Sequence, residues 1–301
     1  MSAEPASKGD PLRWQRVWSI GIYSGSSPLS LAPTAPDPVL SAAQVSDADA
    51  YYVADPFMLE HEGRWHMYFE VLLRASRRGV IGLATSRDAR TWAYRGLVLE
   101  QPFHLSYPQV FAHDGTIYML PETIGAEAVR LYHAVRFPDR FEPVRDLIQG
   151  VYADPTIFFE GGLWWILACS TPYENRTLNL FFAERLLGPW QEHPRSPIVS
   201  DDRHIARPGG RVFRCDGKLI RLAQDCVPRY GTRLQAVEIT RLDRNNYGER
   251  VDRANPILQP ATVGWNSVGM HHMDPHMLHD GTWIACVDGD TLVPAGVGQS
   301  P

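Results

Sequence analysis

The sequence predicts an all-β fold, a five-bladed β-propeller closed by an N-terminal strand, and three observations carry that prediction. The first is a recurring phrase. VADPFMLEHEGRW at 53–65 returns as ADPTIFFEGGLWW at 153–165 and MDPHMLHDGTW at 273–283, and two further copies without Asp read SYPQVFAHDGTIYMLPE at 106–122 and ARPGGRVFRCDGKLIRLAQD at 206–225. The second is a shared continuation: each phrase runs through a turn Gly into a second alternating run such as WHMYFEV, TIYMLPE, LWWILAC, KLIRLAQ or TWIACVD. The third is composition. With 24 Pro in 301 residues the chain exceeds the roughly 5% usual for Pro, which favours many turns and short strands over long helices. Strand, tight turn, strand, loop, strand at a period of roughly 50 residues is the pattern of a propeller blade.

In chain order, residues 1–13 read as a disordered lead-in and 14–301 as one propeller domain. RVWSIGIYSG at 16–25 alternates well, and it completes the last blade, which runs out of chain before its outer strands. The Pro-rich stretch 31–50 then connects to blade one. Blades open near 53, 106, 153, 206 and 273, and the first four contain a third run: VIGLATS, AVRLYHAV, LNLFFAE and RLQAVEI. A β-sandwich explains the period less well. Pro56, Pro108, Pro155, Pro208 and Pro275 hold one slot in every blade, expected at the first residue of the inner strand.

Net charge is −5 without a Lys or Arg block, which argues against a nucleic-acid surface. No apolar run reaches the length of a membrane span. The four cysteines, at 169, 215, 226 and 286, lack a CxxC spacing and read as free buried thiols, pointing to a reducing, cytoplasmic setting. Oligomeric state leaves no trace in the sequence.

The repeat works as an internal control: what every blade keeps serves the blade, and what varies is free to serve function. The slot before the proline holds Asp55, Tyr107, Asp154, Arg207 and Asp274. Asp before Pro is often a plain turn residue, yet Tyr and Arg show that the blade does not require it. Inner strands converge on the axis, so these five side chains are expected in one ring. The second strand returns to the same face and places Glu70, Glu122, Asp225 and Asp288 in a wider ring. Converging carboxylates shift one another's pKa, as acid–base sites need, and a passive ion cluster would read the same way. In GMHHMDPHMLHDG, alternation sends His272, Asp274 and His276 to one side and His271 to the other, without a diagnostic zinc spacing, so no metal ligand is assigned. His104, just before blade two, is a further candidate for lining the pocket, and the tryptophans of the second strands read as core.

An Asp before Pro in blade one and an Asp-Pro opening blade three resemble the five-bladed propeller glycosidases of the arabinanase and β-xylosidase group. The resemblance implies a general base at Asp55 and a pKa-raising, orienting helper at Asp154. FHLSYPQVF, LPET, ARPGGRVF, LAQD and GMHHMDP are similar to the propeller domain of glucosamine inositolphosphorylceramide transferase-like proteins, over roughly residues 14–290. Where the glycosidases carry their acidic Glu in blade four, this chain reads Ala206-Arg207-Pro208; Glu122 of blade two, or Glu70 of blade one, could take that role, and neither is carried over by position. A blade-five His near a central cation in the glycosidases leaves room for calcium beside His271 or His272, although no cofactor is required.

These residues together suggest a carbohydrate-active enzyme working at an anomeric carbon of a sugar-containing small molecule. Asp55, Asp154 and Glu122 are its catalytic carboxylates, and Arg207 is expected to hold an anionic group. The substrate-binding candidates are Glu70, His104, Tyr107, Arg207, Asp225, His271, His272, Asp274 and Asp288. The alternative is a non-hydrolytic acid–base cyclase, lyase or isomerase on the same pocket, and a third reading is a binding module.

Overall fold

The computed structural model describes residues 14–294; the lead-in expected over 1–13 and the segment 295–301 lie outside the described residues. Five antiparallel sheets stand in chain order as blades. Blade one is Ala50–His61, Arg64–Leu73, Gly79–Ser86 and Ala93–Leu99. Blade two is Ser106–His113, Thr116–Glu122, Ala128–Arg136 and Arg140–Gln149. Blade three is Ala153–Glu160, Leu163–Cys169, Leu178–Ala183 and Gln191–Glu192. Blade four breaks its inner strand into Arg207–Pro208 and Phe213–Cys215, then adds Lys218–Asp225, Arg233–Leu242 and Tyr247–Val251. Blade five is composite. Met273–Met277 and Trp283–Pro294 come from the end of the described chain, and Trp14–Gly25 and Ala32–Pro33 from its start. Trp14–Gly25 pairs with Trp283–Pro294 along its whole length, from Trp14 opposite Pro294 to Gly25 opposite Trp283. Among the described residues no helix is long and apolar enough to cross a membrane.

A blade lies between two others, so its strands bury both faces and lose the simple in–out alternation. Gly79–Ser86 and Leu163–Cys169 are buried at every position. The core accordingly divides into five apolar clusters, one at each junction between blades. Met58, Val71 and Ile284 join blades one and five; Phe57, Tyr68 and Val110 join one and two. Leu131 and Ile166 join two and three, Leu180 and Ile239 three and four, and Leu222 and Val287 four and five.

The prolines do not begin the inner strands, which corrects the expectation from sequence. In blades one to three they lie inside the strand, on a register shift: between Ala54 and Phe57, Ser106 and Gln109, and Ala153 and Thr156. The residue before each proline has a positive φ: 52° at Asp55, 51° at Tyr107 and 48° at Asp154. An extra residue at a bulge has no ladder partner, so a proline there costs the sheet no hydrogen bond. Blades four and five have no such shift at this slot. Arg207 pairs directly with Gln224, and Asp274 with Cys286.

Below these bulges the axis is filled by polar groups reaching across blades. The Tyr107 hydroxyl accepts from the Gly210 N–H at 2.6 Å and shares a 2.8 Å hydrogen bond with Thr156. Arg211 donates to Asp274 Oδ1 at 2.6 Å and to the Met58 and Val110 carbonyls, tying blade four to blades five, one and two. Gly210 makes this approach feasible: at its φ of 143° an added Cβ would lie 1.9 Å from the Met273 carbonyl oxygen.

Removing one partner of a buried ion pair leaves an uncompensated charge and costs about 3–5 kcal/mol. Arg211→Ala is therefore expected to lower Tm by roughly 6 °C or more. Arg211→Met combined with Asp274→Leu should recover much of that loss in thermal unfolding; a double variant no better than Arg211→Ala would remove the ion pair as the cause.

Candidate functional site

Above the axial filling, at the end where the inner strands enter, the bulges turn Asp55 and Asp154 into a cluster of five buried carboxylates. A positive φ at a non-glycine residue costs about 1–3 kcal/mol, and Asp tolerates it better than most. Each bulge is capped by the preceding blade. The Asp154 N–H donates to Glu122 Oε2 at 3.0 Å, and the Asp55 N–H donates to Asp288 Oδ2 at 3.0 Å. Glu70 stands at the matching place before Tyr107, where its Oε1 faces the His104 Nε2 at 3.4 Å; Asp55 Oδ1 has no hydrogen-bond partner. Glu70 is 4% exposed and Asp55 5%.

One cation crosses the cluster. Arg207 grips Asp154 with two donors, Nε to Oδ2 at 2.6 Å and Nη2 to Oδ1 at 3.3 Å, and Nη2 also lies 3.5 Å from Glu122 Oε2. Its Nη1 donates to Asn175 Oδ1 and the Pro172 carbonyl, and its guanidinium stacks over the Tyr230 ring. Gln224 Nε2 adds a 2.6 Å hydrogen bond to Asp154 Oδ2. On the opposite side, His271 Nδ1 sits 2.8 Å from Asp288 Oδ1, its Nε2 faces Asp55 Oδ1 at 3.8 Å, and its ring stacks on Trp18.

Burial and mutual repulsion set the protonation states. Burial, then the negative charges of Asp154, Asp288, Glu70 and Glu122, push Asp55 well above the usual carboxylate range. Burial and the same kind of crowding raise Glu70. Burial and Asp154 push Glu122 up to about 8, against the pull of Arg207. Asp288 goes the other way. Burial opposes its charge, but His271, His272 and the Asp55 N–H hold it below the usual range. The site thus sets Glu122, raised to about 8, beside Asp288, held below the usual range.

The structure brings together Asp55, Glu70, Glu122, Asp154, Arg207, His271 and Asp288. His104 stands at the rim, 3.4 Å from Glu70 Oε1, with its Nδ1 accepting from the Gly79 N–H. Four candidates fall elsewhere. Tyr107 is part of the axial filling. His272 packs against Phe57 and Tyr107 with Nε2 on the Pro56 carbonyl, and burial takes its pKa down to about 4. Asp274 lies deeper, on Arg211, His276 and the Met58 N–H, because blade five lacks the bulge that lifts Asp55 and Asp154. Asp225 turns away to His204 and Arg233. Without a bulge in blade four, it is Gln224 that faces Asp154, and neighbouring strand residues point to opposite faces. Arg207 offers nothing to an anion, since all its donors are engaged within the protein; the expected anion-holding role is corrected accordingly.

Sequence reading also missed Gln224, Asn175, Tyr230, Tyr52 and Trp18. Gln224 adjoins Asp225 in LAQD, and Tyr52 stands three residues before Asp55 in YYVADP. Asn175 and Tyr230 come from loops, where no period points to them.

Asp55, His271 and Asp288 hold ligand atoms within 4.8 Å of one another, so a central calcium can be tested against them. The fit is poor. Asp288 Oδ1 accepts from the backbone of His271 and His272 and faces His271 Nδ1, and Oδ2 accepts from Asp55. That leaves the two Asp55 carboxylate oxygens and His271 Nε2, whereas calcium takes about six to eight oxygens.

The family described as "Glucosamine inositolphosphorylceramide transferase 1, N-terminal" matches residues 14–290. Glucosamine inositolphosphorylceramide transferase 1 of Oryza sativa subsp. japonica is 34% identical over 304 residues, covering 93% of this chain and 40% of that protein. The chain therefore spans about two-fifths of this relative's length. Among solved structures, a thermostable family-43 glycoside hydrolase has a TM-score of 0.58 at 16% identity, covering 83% of this chain and 94% of its own. The α-L-arabinanase of Cellvibrio cellulosa with arabinohexaose has a TM-score of 0.57 at 16% identity, with coverages of 82% and 94%. These two likenesses show the five-bladed propeller fold.

Carboxyls held above their ordinary range keep protons that an unfolded chain has already released, so they lower stability as pH rises from near 4.5 towards 8. Tm is expected to fall across that window. Glu70→Gln, which removes a buried charge crowded by Glu122, Asp154 and Asp288, should raise Tm at pH 8 by roughly 2–6 °C and flatten the profile. An unchanged profile in differential scanning calorimetry would mean that Glu70 is not strained by its neighbours.

Proposed function

Because the chain belongs to the glucosamine inositolphosphorylceramide transferase 1 N-terminal family, we propose that the carboxylate cluster binds a sugar-containing small molecule and acts at its anomeric carbon. The observation that carries this reading is the electrostatic split between Glu122 and Asp154. Asp154 is held by Arg207 and Gln224, and its charge raises the neighbouring Glu122 to about 8. Glu122 is then a protonated acid at neutral pH, suited to deliver a proton to a leaving oxygen. Asp154 orients Glu122 through its N–H and tunes it through its charge; both its oxygens are occupied, so it is a positioning residue.

Asp55 is the base in this scheme. Its Oδ1 has no partner, and His271, fixed by Asp288 and Trp18, faces it. The crowding that raises its pKa makes its ionised form a strong base. In the reaction Asp55 takes the proton of the attacking water or hydroxyl, Glu122 gives one to the departing oxygen, and the bond to the anomeric carbon changes hands. Positive charge developing on that carbon would be surrounded by carboxylates, which stabilises an oxocarbenium-like transition state. The acid thus stands in blade two, while the glycosidase position in blade four is taken by Arg207. The activity of the full-length relatives, including transfer, is a wider property than this propeller alone supports.

The test is turnover of glycosyl fluorides, furanosyl and pyranosyl, by wild type, Asp55→Asn and Glu122→Gln. Fluoride leaves without strong acid assistance, so Asp55→Asn should lose about 100-fold or more while Glu122→Gln retains most turnover. On alkyl glycosides, whose leaving groups need a proton, Glu122→Gln should lose a similar factor, and wild-type rate should decline as pH passes about 8. Silence of the folded protein across both panels would overturn the reading and favour a cyclase, lyase or isomerase on the same residues.

A further inference from the structure

The proposed chemistry leaves Tyr230 without a task, although its ring stands inside the site. The residue comes from the loop 226–232, between Lys218–Asp225 and Arg233–Leu242 of blade four. The Arg207 guanidinium lies 5.0 Å from its ring centroid, and the His271 ring meets it edge-to-face at 5.1 Å. The charges that bear on its phenol are those of Arg207, Asp154 and Asp55, which places it at the carboxylate cluster. Blade five and the loop leading into it hold this loop. Arg16, paired with Asp290, donates Nη1 to the Tyr230 carbonyl at 3.0 Å, and Arg229 Nη2 donates to the Val268 carbonyl at 2.9 Å. Gly231 follows at a φ of 67°, and an added Cβ there would lie 3.0 Å from both His271 Cδ2 and Trp18 Cη2. The loop therefore packs directly on the stacked rings of His271 and Trp18. Yet the Tyr230 hydroxyl has no hydrogen-bond partner among the described residues, whereas the axial Tyr107 spends its own on Gly210 and Thr156. A phenol enclosed this far normally finds a partner for its O–H. Tyr52 differs as well, since it turns towards Glu70.

We infer that Tyr230 selects the ligand: its hydroxyl donates a hydrogen bond to one ring hydroxyl oxygen of the bound sugar. The inference rests on the sugar-pocket reading proposed for this cluster and supplies a neutral donor that the reading lacks. The cluster otherwise consists largely of acceptors and of donors already spent. Arg207 uses its donors within the protein, and His271 Nδ1 is taken up by Asp288. Burial holds the Tyr230 phenol above its usual range, so it stays protonated and remains a donor at neutral pH. The anchored loop and the packed ring remove most of the side chain's freedom before a ligand arrives, so little ordering entropy is left to lose on binding. A contact of this kind is the same before and after bond cleavage begins. It therefore strengthens binding rather than the chemical step.

The experiment compares the whole wild-type chain with Tyr230→Phe, which keeps the ring on Arg207 and His271 and removes only the hydroxyl. The probes are the glycosyl fluoride that wild type turns over best and its analogues with each ring hydroxyl removed in turn. On the parent fluoride Tyr230→Phe should raise KM about 3–10-fold, the range of one neutral hydrogen bond, with the loss falling on KM rather than kcat. One deoxy analogue should carry that same penalty with wild type and show no further loss with Tyr230→Phe, because both changes delete one contact. Tm should stay in place, and so should the decline of alkyl-glycoside turnover past about pH 8, since Arg207 and Glu122 are untouched. Equal KM for wild type and Tyr230→Phe would overturn the inference and leave the sugar-pocket reading standing. An equal penalty from Tyr230→Phe on every deoxy analogue would make the residue a prop for Arg207 and overturn it as well. Silence of folded wild type towards every fluoride would end both readings.

Discussion

Five strands that meet on one axis bury the polar groups between them, and these satisfy one another across blades. That constraint organises everything above it. Arg211 answers it by joining Asp274 to two backbone carbonyls of other blades, and Tyr107 by taking the Gly210 N–H. An unpaired polar group there would carry the desolvation cost of a dry interior. With the lower axis closed this way, the inner strands are held at fixed distances, and their entry ends form a rigid floor for the carboxylates.

The same slot does two jobs, and backbone and side-chain length together decide which. The bulges at Asp55 and Asp154 direct these carboxyls into the cluster. Tyr107 carries the same bulge, but its long side chain reaches the axial filling, and Arg207 enters the cluster from a regular strand. In blade five the ladder runs regularly, and an identical Asp-Pro sends Asp274 into the axial ion pair instead. Positive φ at Asp55 and Asp154 is local strain stored at the site, while the hydrogen bonds from their N–H groups to Asp288 and Glu122 hold it there. The apolar junctions between blades supply the stability against which this strain and the crowded charges are set.

Arg207 shows how one side chain in the blade slot redistributes charge across the cluster. Occupying the blade-four slot, it neutralises Asp154 and brings a positive charge within reach of Glu122, yet Asp154 and burial still keep Glu122 high. The carboxyl raised to about 8 therefore stands one blade before Asp154. The propeller tolerates this because equivalent strand ends from all blades reach the same face, so an acid can approach a common centre from more than one direction.

By itself the sequence determined the number of blades, the inner and second strands of each, and which residue types stand near the axis. Repetition makes those features local: each phrase carries its own proline, turn glycine and alternation. Glu122, Asp154, Asp55 and Glu70 were found because strand period and repeat position suffice to place them. What only the tertiary structure decided is which equivalent residues share a space. A bulge shifts a strand by one residue and reverses the facing of its side chains, and nothing in Asp274-Pro275 distinguishes it from Asp55-Pro56. Asn175 and Tyr230 reach Arg207 from loops without period, and the saturation of that guanidinium exists only once blades two, three and four are assembled. Charge balance, and with it the kind of ligand the cluster suits, is a property of that assembly.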